Sequence, residues 1–248
     1  MSVTNTPRRP SRLLMGLEAP RATVELAMLA AAAPAVVLAP RGDGHTVLVL
    51  PGFMTNDLST LALRVVLRGL GHDARGWGLG TNLGPTSSIV DGLLHLVDDA
   101  WRDSGRPVSL LGISLGGVYA RQLAIRKPER VRQVITLGSP FRLPTTYSGP
   151  HITNASSLYR MLGALHERPV TPSEAPLPVP NTAIYTRTDG IVPWESCVNV
   201  EDELSENVEV FGSHCGLAHH PMSVRVVADR LAQPEGKWMP FRVRAAAA

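Results

Sequence analysis

Several things are scarce in this 248-residue chain, and each scarcity excludes something. There are two cysteines, Cys197 and Cys215, too few for a disulfide-stapled scaffold or a four-cysteine zinc site. Aromatic residues make up 5% of the chain and charged residues 18%. The net charge of +3 is spread thinly, without a block of five like charges or a basic stripe interleaved with aromatics. Nucleic acid is therefore not an expected partner, even with a sequence pI near 9.2. The most apolar stretch, Leu26 to Ala39, is fourteen residues long and broken by Pro34. It is too short to span a bilayer, so no integral membrane span is expected.

What is abundant is apolar surface. At 44% hydrophobic residues the chain can bury a large core, which excludes disorder of the whole. The stretch behind Arg8, Arg9 and Arg12 has some features of a signal-peptide core, yet Glu18 and Glu25 sit between those arginines and the stretch, and the segment before it is long for an n-region. The expectation is a cytoplasmic protein, with secretion left open. A helix is expected from about Leu17 to Ala33, followed by an extended approach after Pro34.

From residue 45 onward, apolar runs alternate with helical periods. His45 to Leu50 is a nearly continuous apolar run ending at Pro51-Gly52, as a buried parallel strand would. After the candidate cap Asn56-Asp57, residues Leu58, Leu61, Ala62 and Val65 keep the spacing of one helix face. Further strands are expected at Asp73–Trp77, Pro107–Leu111, Val131–Leu137, Asn181–Thr186 and Asn207–Phe211. Helices are expected around Ile89–Ala100, after Gly116 to about Lys127, and over Met222–Leu231. This order predicts an α/β fold, a mostly parallel sheet of about six strands with helices on both faces. Residues 141–180 carry seven prolines and no long period, which suggests a cap or lid insertion. The division is then an N-terminal segment 1–44, a core of 45–140 and 181–235, the insertion 141–180, and a tail 236–248.

The chemistry centres on Gly112-Ile113-Ser114-Leu115-Gly116. The G-x-S-x-G pattern recurs by chance, but here an apolar strand precedes it and a helix follows, as a nucleophile elbow requires. Glycines at 112 and 116 would let strand and helix close on each other. A serine hydroxyl needs a base and an orienter. Asp189 follows the strand ending near Thr186, and the adjoining Gly190 permits a sharp turn; a simple Asx-turn is the bland alternative. His214 follows the last strand and ranks ahead of His219 and His220, which adjoin Pro221 and a helix start. His45, His72, His95, His151 and His166 fit surface or structural positions. Oxyanion donors are expected at the backbone N–H of Leu115 and Phe53.

Together these pieces resemble the α/β-hydrolase fold family, in its bacterial lipase and esterase branch. The resemblance rests on Val47 to Phe53, Leu110 to Gly117, Tyr185 to Val192 and Gly212 to Leu217, and covers about residues 45–232. It implies Ser114 as nucleophile, His214 as base, Asp189 as orienter, and Phe53 with Leu115 at the oxyanion hole. It departs where many lipases carry His-Gly instead of Pro51-Gly52, and where the family's antiparallel leading strands are replaced by a helical N-terminus.

The function expected is a serine esterase or lipase acting on a small-molecule ester with an acyl chain, without metal or organic cofactor. The alternatives are an acyltransferase using the same acyl-enzyme, or a silent binding protein of the same fold. Met54, Trp194 and Leu217 are candidate acyl-pocket residues, as are Leu158, Met161 and Leu162 in the insertion; all could equally be core. Cys197 and Cys215 lie on loops that meet if Asp189 and His214 meet; they form either a disulfide or two free thiols.

Overall fold

The computed structural model describes residues 8–143 and 175–241, with 153–155, 161, 162 and 165 between them. Six strands form one sheet: β1 Thr46–Leu50, β2 Asp73–Gly76, β3 Val108–Ile113, β4 Val131–Leu137, β5 Asn181–Tyr185 and β6 Ser205–Glu209. Their order is β2-β1-β3-β4-β5-β6, and every pairing is parallel. Parallel strands need crossovers, and helices supply them on both faces, so β1, β4 and β5 are buried end to end.

Strand periodicity divides the core in two. Leu48, Leu50 and Leu110 face α5 (Ser87–Ser104) and α6 (Leu115–Arg126). Val47, Val49, Leu111 and Ile135 face α4 (Leu61–Gly69) and α7 (Pro221–Leu231). Leu48, Leu110 and Leu111 are fully buried, and truncating any of them to Ala would cost about 2–5 kcal/mol.

The chain before β1 is helical: α1 Arg12–Gly16, α2 Glu18–Ala31 and α3 Ala33–Val37. Pro34 sits in the first turn of α3, where its missing N–H costs nothing, so the extended approach expected after it is instead a third short helix. Through Leu29, α2 joins the core of the α4/α7 face. No helix among the described residues is long and apolar enough to cross a membrane.

Two other boundaries moved. α4 starts at Leu61, and Leu58 is exposed. The Asp57 carboxylate accepts the N–H groups of Trp77 and Gly78 at 2.9 and 3.0 Å, so it anchors the end of β2 instead of capping a helix. β6 lies two residues earlier than its apolar residues suggest, because Ser205 pairs with Asn181 and Glu206 with Thr182. Phe211, expected inside the strand, projects into solvent. The expected cap, residues 141–180, lies mostly outside the described residues, as does Leu158; Met161 is exposed.

Candidate active site

All three side chains singled out in the sequence meet at the carboxyl ends of β3, β5 and β6. Ser114 sits between β3 and α6 with φ 50° and ψ −119°, a region a non-glycine residue rarely occupies and one that stores strain at functional turns. The turn closes only because of its glycines. A Cβ on Gly112 would lie 2.3 Å from Gly117 Cα, and one on Gly116 would lie 2.3 Å from the Leu50 carbonyl oxygen.

His214 Nε2 lies 3.1 Å from Ser114 Oγ, and His214 Nδ1 lies 2.6 Å from Asp189 Oδ2. Asp189 and His214 are both buried. The second Asp189 oxygen accepts the N–H groups of Ile191 and Val192, each at 2.8 Å. The Asx-turn and the contact to histidine therefore coexist, one oxygen for each. Burial opposes a charged imidazole, but Asp189, and to a smaller degree Glu18, outweigh it and raise the His214 pKa above its ordinary 6.5.

The rival histidines have structural duties. His219 Nε2 is 2.9 Å from the Ala22 carbonyl oxygen, and His220 Nδ1 accepts the Met222 N–H at the start of α7. Leu115 opens α6, so its N–H is among the donors a helix start leaves without an intrahelical partner. Gly52 brings the loop after β1 against the serine: a Cβ there would be 3.3 Å from Ser114 Cβ. Phe53 follows at once, and Met54 adopts φ 60° and is partly exposed.

Asn82 was not anticipated. It is fully buried, donates from side-chain Nδ2 to the Pro51 carbonyl at 2.9 Å, and accepts the Met54 N–H on its backbone carbonyl at 2.8 Å. It thereby fixes both ends of the loop that carries Phe53. The only sign of this in the sequence was the Gly/Thr/Ser-rich run from Gly78 to Ser88, whose pairing with the β1 loop depends on tertiary contact.

Other expectations need correction. Leu217 is fully buried in the core of the α4/α7 face, where it cannot line an acyl pocket. Trp194 stacks on Tyr185 at 5.6 Å, with the Arg187 guanidinium over its ring, in a small cluster with Val192 and Cys197. The two cysteines are free. Cys197 is buried in that cluster, whereas Cys215 is exposed on the histidine loop, so the disulfide reading does not stand. Burial pushes the Cys197 thiol up, while partial desolvation of the sulfur and then the Glu18 carboxylate raise that of Cys215 to about 12.

Asp43, His45 and His72 gather beside the amino ends of the strands, away from Ser114, with ligand atoms within 4.8 Å of one another. Their chemistry fits a cation poorly. Arg106 and Arg132 already bind Asp43 at 2.7 and 2.9 Å, and both His45 nitrogens are engaged, by Asp43 and by Ser109.

This fold has solved counterparts. The chain has the α/β-hydrolase fold. It superposes on lipase B of Aspergillus fumigatus with a TM-score of 0.58 at 16% identity, over 77% of this chain and 53% of that one. The chain thus spans about half the length of that lipase. Est1E from Butyrivibrio proteoclasticus gives 0.53 at 16% identity, covering 77% and 89%. The mouse alpha/beta hydrolase domain-containing protein 10 gives 0.50 at 18% identity, covering 76% and 88%. At these identities the likeness is one of fold. No family model matches the sequence, and no curated protein does.

Proposed function

We propose that this α/β-hydrolase is a serine esterase that cleaves carboxylic esters through an acyl-enzyme on Ser114. One observation carries the reading: the unbroken relay from Ser114 Oγ through His214 to Asp189, at 3.1 and 2.6 Å. These distances lie within the reach required for proton transfer from a nucleophile to its base.

In this reading Ser114 Oγ attacks the ester carbonyl while His214 Nε2 takes its proton. Asp189 keeps the other imidazole nitrogen protonated and stabilises the imidazolium. The N–H groups of Leu115 and Phe53 stabilise the oxyanion, each worth about 3–4 kcal/mol in the transition state. His214 then passes its proton to the leaving alcohol, and water, deprotonated by the same histidine, releases the acid. Every step uses side chains and backbone of this chain, with Asn82 holding the Phe53 loop in place.

The test is hydrolysis of p-nitrophenyl esters of increasing acyl length by the wild type and by Ser114→Ala. Turnover by the wild type that falls to background in the variant supports the reading. Equal rates in the two proteins would remove Ser114 from the reaction.

A further inference from the structure

Helix α2 carries two acids and an arginine on one side, at 18, 21 and 25, a spacing that stacks side chains along one helix face. All three reach the loops that hold Asp189 and His214. Glu18 is buried, and its carboxylate bridges the two loops. Its Oε1 accepts the Gly190 N–H at 2.8 Å and its Oε2 the Cys215 N–H at 2.9 Å. Gly190 directly follows Asp189, and Cys215 directly follows His214. A single side chain thus ties together the neighbours of the two groups that must touch.

The other two work on the preceding residues. Arg21 donates to the Thr188 carbonyl and hydroxyl, each at 2.9 Å, and to the Gly212 carbonyl at 2.5 Å. Glu25, also buried, accepts the Ser213 N–H at 2.7 Å and the Ser213 hydroxyl at 2.5 Å. The Ser213 hydroxyl in turn accepts the Gly216 N–H at 3.0 Å. A Cβ on Gly216 would lie 1.5 Å from a Glu25 oxygen, so that glycine makes room for the acid.

Packing alone does not explain this arrangement. Buried carboxylates are costly unless hydrogen-bonded, and an apolar face would have docked the helix more cheaply. Here two buried carboxylates and one guanidinium satisfy polar groups on Thr188, Gly190, Gly212, Ser213 and Cys215. These are the residues flanking Asp189 and His214.

We propose that Glu18, Arg21 and Glu25 are positioning residues, a polar clamp through which helix α2 sets the distance and alignment between Asp189 and His214. The clamp rests on the esterase reading above for its consequence in turnover, and on the geometry alone for its effect on the histidine. The charged groups facing the histidine loop are Asp189 from the β5 loop, and Glu18, Arg21 and Glu25 from α2. His219 and His220 lie at the loop's far end. Of the acids, Asp189 and Glu18 hold the His214 proton on.

The experiment uses the full chain with Glu18→Gln and Arg21→Met, and Glu129→Gln as a control, an exposed acid before β4. Gln keeps the shape of Glu18 but removes its charge, and sets an amide donor against one of the two backbone donors. Three quantities are read: the titration of the His214 imidazole by NMR, kcat and KM on p-nitrophenyl esters, and the thermal midpoint. Expected for Glu18→Gln are a downward shift of the His214 titration and a kcat reduced on the order of 10- to 100-fold, with KM within about twofold. Arg21→Met frees Thr188 and Gly212 and removes the cation 4.0 Å from the buried Glu18 carboxylate. It lowers kcat in the same way and covers the case in which Glu18→Gln fails to fold.

Folded variants with wild-type kcat and a wild-type His214 titration would reduce α2 to packing and overturn the clamp. If the wild type itself shows no Ser114-dependent turnover, the esterase reading fails. The His214 titration then still decides whether Glu18 acts on the imidazole.

Discussion

His214 Nδ1 lies 2.6 Å from Asp189 Oδ2, while Asp189 Oδ1 holds the turn that follows through Ile191 and Val192. This division separates two roles within one carboxylate. In Asp189→Asn the amide oxygen can keep the turn, while the NH2 group faces His214 and forces its proton onto Nε2. A loss of roughly 10³–10⁴-fold in kcat is expected, with little change in the unfolding midpoint. Steady-state kinetics beside a thermal melt checks both; a large loss of stability with retained turnover would assign Asp189 to the turn alone.

The acid limb of activity follows from the same pair. A base must be unprotonated to accept the serine proton, and the His214 pKa is raised above 6.5 by Asp189 and Glu18 in spite of burial. The kcat/KM of the wild type should therefore fall with decreasing pH at a midpoint above 6.5, and a pH–rate profile locates it. A midpoint below that value would mean that burial wins.

Asn82 holds the Pro51–Thr55 loop from beneath, bonding Pro51 and Met54. Replacing it with Ala removes the side-chain donor to the Pro51 carbonyl, leaves the backbone bond to Met54 in place, and lets the Phe53 N–H drift. The expected result is a kcat lowered on the order of 10- to 100-fold, with Ser114 labelling by a small fluorophosphonate slowed but not abolished. Unchanged kcat in a folded Asn82→Ala protein would separate this loop from the chemistry.

At the other end of the sheet, His72 is buried against His45, ring centroids 5.1 Å apart. Burial first, then His45, lowers its pKa from 6.5 to about 4. Because the folded value is the lower one, the unfolded chain binds the extra proton between these limits. Stability should be lost as pH falls from about 6.5 to about 4. Urea unfolding midpoints across that range measure the slope, and His72→Phe should flatten it; an unaltered slope would place the acid sensitivity elsewhere.

Much of the fold was legible because parallel strands advertise themselves. The runs ending at Leu50, Ile113 and Leu137 are buried on both faces, so local hydrophobicity and tertiary environment agree. Ser114, Asp189 and His214 could be ordered from the strand ends alone, and the structure brings all three together. What was not legible depends on partners distant in sequence. β6 is an edge strand rich in polar residues, and its register is set by Asn181 and Thr182, so Val210 and Phe211 drew its expected position too far along the chain. Leu217 could be pocket or core from the sequence, and the loop turns it into the core. Glu18 and Glu25 did stand out, as acids just ahead of the apolar stretch. Their partners, Gly190, Ser213 and Cys215, lie more than 170 residues away, a distance no local pattern spans.

The most direct test of the central claim is covalent labelling with a fluorophosphonate, followed by peptide mass spectrometry of the wild type and of His214→Ala. The account predicts a single phosphonyl adduct on Ser114 in the wild type, formed far more slowly when His214 is replaced. An adduct on another residue, or equal labelling of the two proteins, would contradict it.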